Sequence, residues 1–291
     1  MSPVEPPHSE VMHQYIQNVQ SWFLAVRDND LPAVTRIIST SPRLVHARDE
    51  TFHDVTALHW AAALNHGDIC SLLLRHGAEV DAEIPVAGTP LMLAVQENHG
   101  EVCSILLSHG ANVNYIRPSD GATPLMFAVQ KNHGEVCNIL LSHGANVNYI
   151  DPSDGFTSLH SAVQNGYLDL CDLLISHNAD VNGVQGNGSG YTPLNVSAIN
   201  GHSDITRLLI SRGGDVHARN SLQFTPLHCA SQEGHLPVVK ILLENGASWE
   251  DRNYQGVAPL HKAAQYNRHE VVRYLVTTAG CPVDIVSIFN D

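Results

Sequence analysis

One short motif recurs seven times at nearly constant spacing, and nothing else in the chain constrains its fold as strongly. Thr56-Ala57-Leu58-His59 is followed by Thr89-Pro90-Leu91-Met92, Thr123-Pro124-Leu125-Met126, Thr157-Ser158-Leu159-His160, Thr192-Pro193-Leu194-Asn195, Thr225-Pro226-Leu227-His228 and Ala258-Pro259-Leu260-His261, at offsets of 33, 34, 34, 35, 33 and 33 residues. After each motif come a central Ala, an Asn or Gly with His or a similar residue, a Leu-Leu pair, Gly-Ala, and Val-Asn or Val-Asp. A unit this short cannot bury an apolar face alone, so units repeated at this period must bury it against their neighbours. A length of 291 residues would also allow one or two globular domains. The period selects the array.

Local chemistry within each block predicts two helices and a turn. Thr can cap a helix by accepting from its early N–H groups, and the adjoining Pro sits at the first helical position, where its missing donor costs little. The turn between the helices needs a residue tolerant of positive φ, and Gly166, Gly201 and Gly234, or Asn65, Asn98, Asn132 and Asn267, stand there. Second helices such as Glu101 to Leu107 place apolar residues three and four apart, stop at Gly110, and lead through a short hairpin into the next block.

These blocks closely resemble the ankyrin repeat, over roughly residues 20 to 285. The resemblance implies an all-α solenoid of helix-turn-helix units joined by β-hairpin loops, with a concave groove. It divides the chain into an N-terminal tail and start of a cap at 1–19, a degenerate capping repeat at 20–55, repeats at 56–88, 89–122, 123–156, 157–191, 192–224 and 225–257, and a terminal repeat with tail at 258–291. The capping repeat, Ser21 to Val26 followed by Val34 to Ile38, lacks the Thr-Pro-Leu-His motif. Residues 1 to about 10, rich in Pro and Glu, read as a loose tail. The apolar run Val283 to Phe289 is unexpected beside a cap, whose outer side should be polar. It implies folding back onto the last helices or a cut from a longer protein.

Charge and cysteine placement narrow the function. A formal net charge of −14 with 15 Lys and Arg disfavours nucleic acid, whose phosphates demand clustered cations. A protein partner with a basic surface fits better. The sequence has no apolar run long enough for a membrane span, and its start lacks the charged and apolar regions of a signal peptide. Cys70, Cys103, Cys137 and Cys171 share one repeat position, where Val239 and Val272 stand in later blocks. Packed helices lie about 8 to 10 Å apart, whereas a disulfide needs Cα atoms within roughly 7 Å. The file therefore reads as reduced core thiols, which places the protein in the cytoplasm or nucleus. It cannot converge on a metal either. Nine of the 19 histidines recur at two equivalent sites: His59, His160, His228 and His261 in the motif, and His66, His99, His133, His202 and His235 at the turn. The resemblance gives the motif histidine a structural hydrogen-bonding role. No Ser-His-acid set, phosphate loop or His-Glu-x-x-His falls on suitable elements, and Gly186 to Gly190 reads as a lengthened finger. The expectation is a non-enzymatic scaffold or adaptor with no cofactor, metal, catalytic residue, membrane or small-molecule substrate.

Blocks 89–122 and 123–156 differ only at Leu93/Phe127, Glu97/Lys131, Ser104/Asn138, Arg117/Asp151 and Ala122/Phe156. In ankyrin-like stacking, the residue before Thr, the fourth after it and the finger tips face the groove. Four of the five differences fall on or beside that surface, two of them reversing charge, as selection by a partner or ordinary surface drift would produce. The same surface carries Trp60, Phe127, Phe156, Tyr191 and Phe224, with Tyr115, Ile116, Tyr149 and Ile150 at the fingers. Aromatics anchor interfaces, or here brace the fingers. The predicted partner-binding set is Trp60, Leu93, Glu97, Arg117, Ala122, Phe127, Lys131, Asp151, Phe156, Tyr191 and Phe224. A file of Gln96, Gln130, Gln164, Gln232 and Gln265 could meet a peptide backbone or bond internally. Asn114 and Asn148, in Leu-x5-Val-Asn, resemble the asparagines that asparaginyl hydroxylase modifies in ankyrin proteins. The resemblance also offers the substrate-recognition part of a ubiquitin-ligase receptor, whose recruiting box would not fit in residues 281 to 291.

Overall fold

The computed structural model describes residues 7–85 and 87–282, which fall into two compact units, Met1–Ala145 and Asn146–Asp291. The first contains α1 (Pro7–Arg27), α2 (Leu31–Thr40), α3 (Ala57–Ala63), α4 (Gly67–Arg75), α5 (Pro90–Gln96), α6 (Gly100–Ser108), α7 (Pro124–Gln130) and α8 (Gly134–Ser142). The second contains α9 (Ser158–Gln164), α10 (Leu168–Ser176), α11 (Pro193–Asn200), α12 (Ser203–Ser211), α13 (Pro226–Glu233), α14 (Leu236–Glu244), α15 (Pro259–Gln265) and α16 (His269–Thr277). In the first unit α1 packs on α3, α3 on α5 and α5 on α7, while α2, α4, α6 and α8 form a second row. The second unit repeats the scheme with α9, α11, α13 and α15 beside α10, α12, α14 and α16.

Each motif position acquires a structural role. Thr56, Thr89, Thr123, Thr157, Thr192 and Thr225 cap their helices by accepting from the backbone N–H three residues on. The motif Leu is buried in all seven blocks, as Leu58, Leu91, Leu125, Leu159, Leu194, Leu227 and, after Ala258, Leu260. All seven predicted turn residues have positive φ, between 57° and 85°. Cys70, Cys103, Cys137 and Cys171 are buried free thiols, and burial pushes each up to about 12.

Successive repeats are stitched by hydrogen bonds at two levels. At the inter-helix turn the side chain reaches back to a carbonyl at the end of the preceding first helix: His66 to Val26 (3.0 Å), His99 to Ala63 (3.1 Å) and His133 to Val95 (3.0 Å). In the second unit His202 meets Gln164 (3.2 Å), His235 meets Ile199 (2.9 Å), and Arg268 donates to Gln232 (2.7 Å). At the fingers, Asn148 Nδ2 donates to the Asn178 carbonyl (3.0 Å) while its Oδ1 accepts from Asp180 N (2.8 Å). Asn182 does the same with Gly213 and Asp215, and Asn114 donates to Gly144 (3.1 Å). The two asparagines singled out in the sequence are therefore inter-repeat staples.

One expectation changes. The loose tail assigned to residues 1 to about 10 is too long, because α1 begins at Pro7; proline is tolerated in a first helical turn. Strand pairing is confined, among the described residues, to β1 (Arg48–Asp49) and β2 (Val55–Thr56) and a bridge between Ile84 and Gly88. Later fingers are turns closed by backbone bonds such as Arg117 N to Ala122 O (3.0 Å) and Gln185 N to Tyr191 O (3.0 Å). Residues 186–190 form the lengthened finger, tied to its neighbours by Gly186 N to Gly155 O (2.8 Å) and Ser221 N to Ser189 O (2.9 Å). The apolar run at 283–289 lies outside the described residues.

Candidate functional site

The motif histidines, the most plausible chemical groups in the sequence, are locked into the fold. His59 is fully buried. Its Nδ1 accepts from the backbone N of Thr56 (3.3 Å) and lies 2.8 Å from Thr56 Oγ1, while Nε2 faces the Gly88 carbonyl at 3.2 Å. That pattern requires the neutral ring protonated at Nε2. Burial holds His59 and His228 down to about 4 and lowers His160, and hydrogen bonds to backbone carbonyls oppose the shift without reversing it. Asn195 fills the same seat, its Oδ1 accepting from Thr192 N (3.0 Å). Among the described residues no cluster of His, Cys, Asp or Glu could hold a metal, and no helix is long and apolar enough to cross a membrane.

The predicted partner-binding residues separate into those held by internal contacts and those left free. Arg117 forks onto Asp120, with Nε 2.9 Å from Oδ1, and lies 4.4 Å over the Phe127 ring. Two of the five differences between the near-identical repeats thus meet each other, and the Arg117 charge is neutralised. Asp151 accepts from Ser153 N (2.8 Å) and Oγ (2.6 Å), so it fastens its own turn. Phe156 and Phe224 pack on the buried rings of His160 and His228, at 5.7 and 5.5 Å. Tyr191 is half-buried and passes its carbonyl to His160 Nε2 at 3.2 Å. Trp60 packs edge-on to Phe52 at 5.3 Å beneath Arg27. Leu93 and Ala122 are half-buried. Glu97 and Lys131 are exposed, and neither has an ion-pair partner among the described residues.

Of the finger residues, Tyr115 is buried, Tyr149 half-buried, and Ile116 and Ile150 are 47% and 46% exposed. The glutamines do not pair along the file: Gln96 and Gln232 bond the adjacent Glu97 (3.1 Å) and Glu233 (2.9 Å), and Gln265 accepts from Lys262. Sequence reasoning missed Lys262, which lies 4.9 Å over Phe224 and 5.7 Å over Tyr266, and Arg27, 4.8 Å over Trp60 and 5.2 Å over Phe52. Two of these pairings, Arg27 on Trp60 and Lys262 on Phe224, join residues from different repeats, which periodicity within a block does not reveal.

Known proteins place this architecture. A family model described as ankyrin repeats (3 copies) matches residues 22–117, 115–185, 151–220, 183–253 and 219–287. The crystal structure of the human ASB11 ankyrin repeat domain aligns with 79% of this chain and 100% of that domain, with a TM-score of 0.65 and 27% identity. A 62-residue stretch, 21% of this chain, is 45% identical to palmitoyltransferase akr1 of Schizosaccharomyces pombe and spans 9% of that protein. With tandem helix pairs, capped motif helices and overlapping family matches from residue 22 to 287, this chain belongs to the ankyrin-repeat family.

Proposed function

We propose that this chain is a non-enzymatic scaffold or adaptor of the cytoplasm or nucleus that recognises a protein partner through its first helices and fingers. Ankyrin repeats as a family mediate protein–protein contact, and fold alone does not choose the partner. The observation that carries the reading is the Glu97/Lys131 exchange. Two repeats identical at all but five positions reverse charge where both side chains are exposed and neither is ion-paired among the described residues, so packing does not account for it. Phe127 lies four residues before Lys131 and supplies apolar area beside that charge, a combination suited to an interface centre. Buried thiols raised to about 12 support a compartment without disulfides, and neutral, fully bonded motif histidines argue against acid–base chemistry there.

The test is capture of partners from extract of the native cell on immobilised chain, followed by titration of the recovered protein against wild type and Lys131→Glu. Loss of a charge pair at an interface costs about 1 to 3 kcal/mol, so affinity should fall roughly tenfold or more while the melting temperature stays unchanged. Equal affinity of the two proteins overturns this placement.

A further inference from the structure

Helix α1 carries two apolar stripes. Trp22, Ala25 and Val26 are buried on the side where α1 packs on α2 and α3. Ile16, Val19, Phe23, Leu24 and Arg27 follow a second stripe at helical spacing, and with Phe52 of the first finger they line a cavity of about 590 Å³. Ile16, Leu24 and Phe52 remain 47%, 57% and 43% exposed. The stripe runs about 16 Å along the helix at 1.5 Å per residue, the length of some three helical turns.

The charge of this trough opposes that of the chain. Arg27 is held over the Phe52 and Trp60 rings, which contact each other edge to face at 5.3 Å, and it meets no carboxylate among the described residues. Arg48, also in the lining, donates from one nitrogen to the carbonyls of Asp54 (3.3 Å) and Glu83 (3.1 Å), and it too meets no carboxylate among the described residues. The acid in the lining, Asp49, is 8% exposed and accepts from Thr51 N (3.1 Å) and Oγ1 (2.5 Å). The result is an apolar trough with two guanidinium groups that have no ion-pair partner among the described residues, in a protein of net charge −14. We infer that it binds an acidic amphipathic segment of a protein partner, with apolar side chains on Ile16, Leu24 and Phe52 and a carboxylate on Arg27. Arg stacked on aromatics keeps its donors free and pre-oriented for a carboxylate. This site is distinct from the surface bearing Lys131 and does not depend on it.

The test uses the whole chain and two labelled 15-residue peptides that share leucines at i, i+3, i+4 and i+7, one with flanking glutamates and one with flanking lysines, read by fluorescence anisotropy. The acidic peptide should saturate and bind at least about tenfold more tightly than the basic one. Arg27→Glu should abolish that preference. Leu24→Asp, at a side chain more than half exposed, should weaken binding at least about tenfold while the melting temperature falls by no more than a few degrees. Lys131→Glu should leave it unaltered. Four results overturn the inference: no saturation by the acidic peptide at about 100 µM, equal affinity of the two peptides, a dimer in sedimentation that Leu24→Asp dissolves, or co-sedimentation with phosphatidylserine vesicles that Leu24→Asp abolishes.

Discussion

Protonating His59 would remove its Nδ1 as an acceptor and place a charge in a site closed to water. The unfolded ring takes up its proton near 6.5, whereas burial holds the folded ring near 4. Between those values the unfolded chain binds more protons, so stability is full above about pH 6.5 and is lost as pH falls towards 4. His228 behaves alike, and each contributes about 1 to 3 kcal/mol to that loss. Asn195 shows how to separate capping from titration, because its amide oxygen serves the Thr192 N–H without a proton to gain. The variant His59→Asn should therefore be slightly less stable at pH 7, by about 1 kcal/mol for the lost bond to Gly88. Its stability should also fall less steeply between pH 6.5 and 4.5. Urea titrations at several pH values measure both, and a slope equal to that of wild type would refute the assignment of the titration to His59.

Single elements were legible in the sequence wherever their cause is local. Thr and Pro at a helix start, Asn or Gly at the turn and Leu in the core act within a few residues, so reading one block predicts all of them. What joins blocks was not legible. The start of α1 at Pro7 is set by an array-end helix that no internal repeat resembles, and the stack of Arg117 on Phe127 joins two repeats. The finger tips show how much such contacts weigh. Gly155 (φ +78°) approaches the next finger so closely that a Cβ would collide with the backbone nitrogen of Asn187 and lie 2.9 Å from that of Gly186. Gly246 has φ +94° and nothing within 4 Å. Both alanine variants carry the cost of a positive φ, about 1 kcal/mol, but Gly155→Ala adds the collision. It should lose about 1 to 3 kcal/mol more than Gly246→Ala, measured by thermal unfolding followed by circular dichroism. Equal losses would mean that the fingers part without cost.

At the scale of the molecule, the candidate site was legible only as a surface. Sequence placed Trp60, Phe127 and Lys131 on one repeat-equivalent face, but it could not separate Lys131, which has no ion-pair partner among the described residues, from Arg117, which Asp120 neutralises. That distinction depends on which side chains a neighbouring repeat brings within reach. Stacking by neighbours alone has a direct consequence for the near-duplicate pair. In α5 and α7 the sequences differ only at Leu93/Phe127, and in α6 and α8 only at Ser104/Asn138. Deleting residues 89–122 joins Gly88 to Thr123 and presents α3 and α4 with nearly the helices they already pack against. Helix content per residue should persist and unfolding should remain cooperative. The melting temperature should fall by several degrees, because one interface is lost and Phe127 must fit where Leu93 stood. Glu97 and Arg117 leave with the deleted segment while Lys131 stays, so retention of partner affinity by the folded deletion would assign recognition to the Lys131 repeat, and its loss would assign an essential part to the deleted one. A chain that loses its cooperative transition would instead show that these repeats are not interchangeable and that their five differences are matched to place.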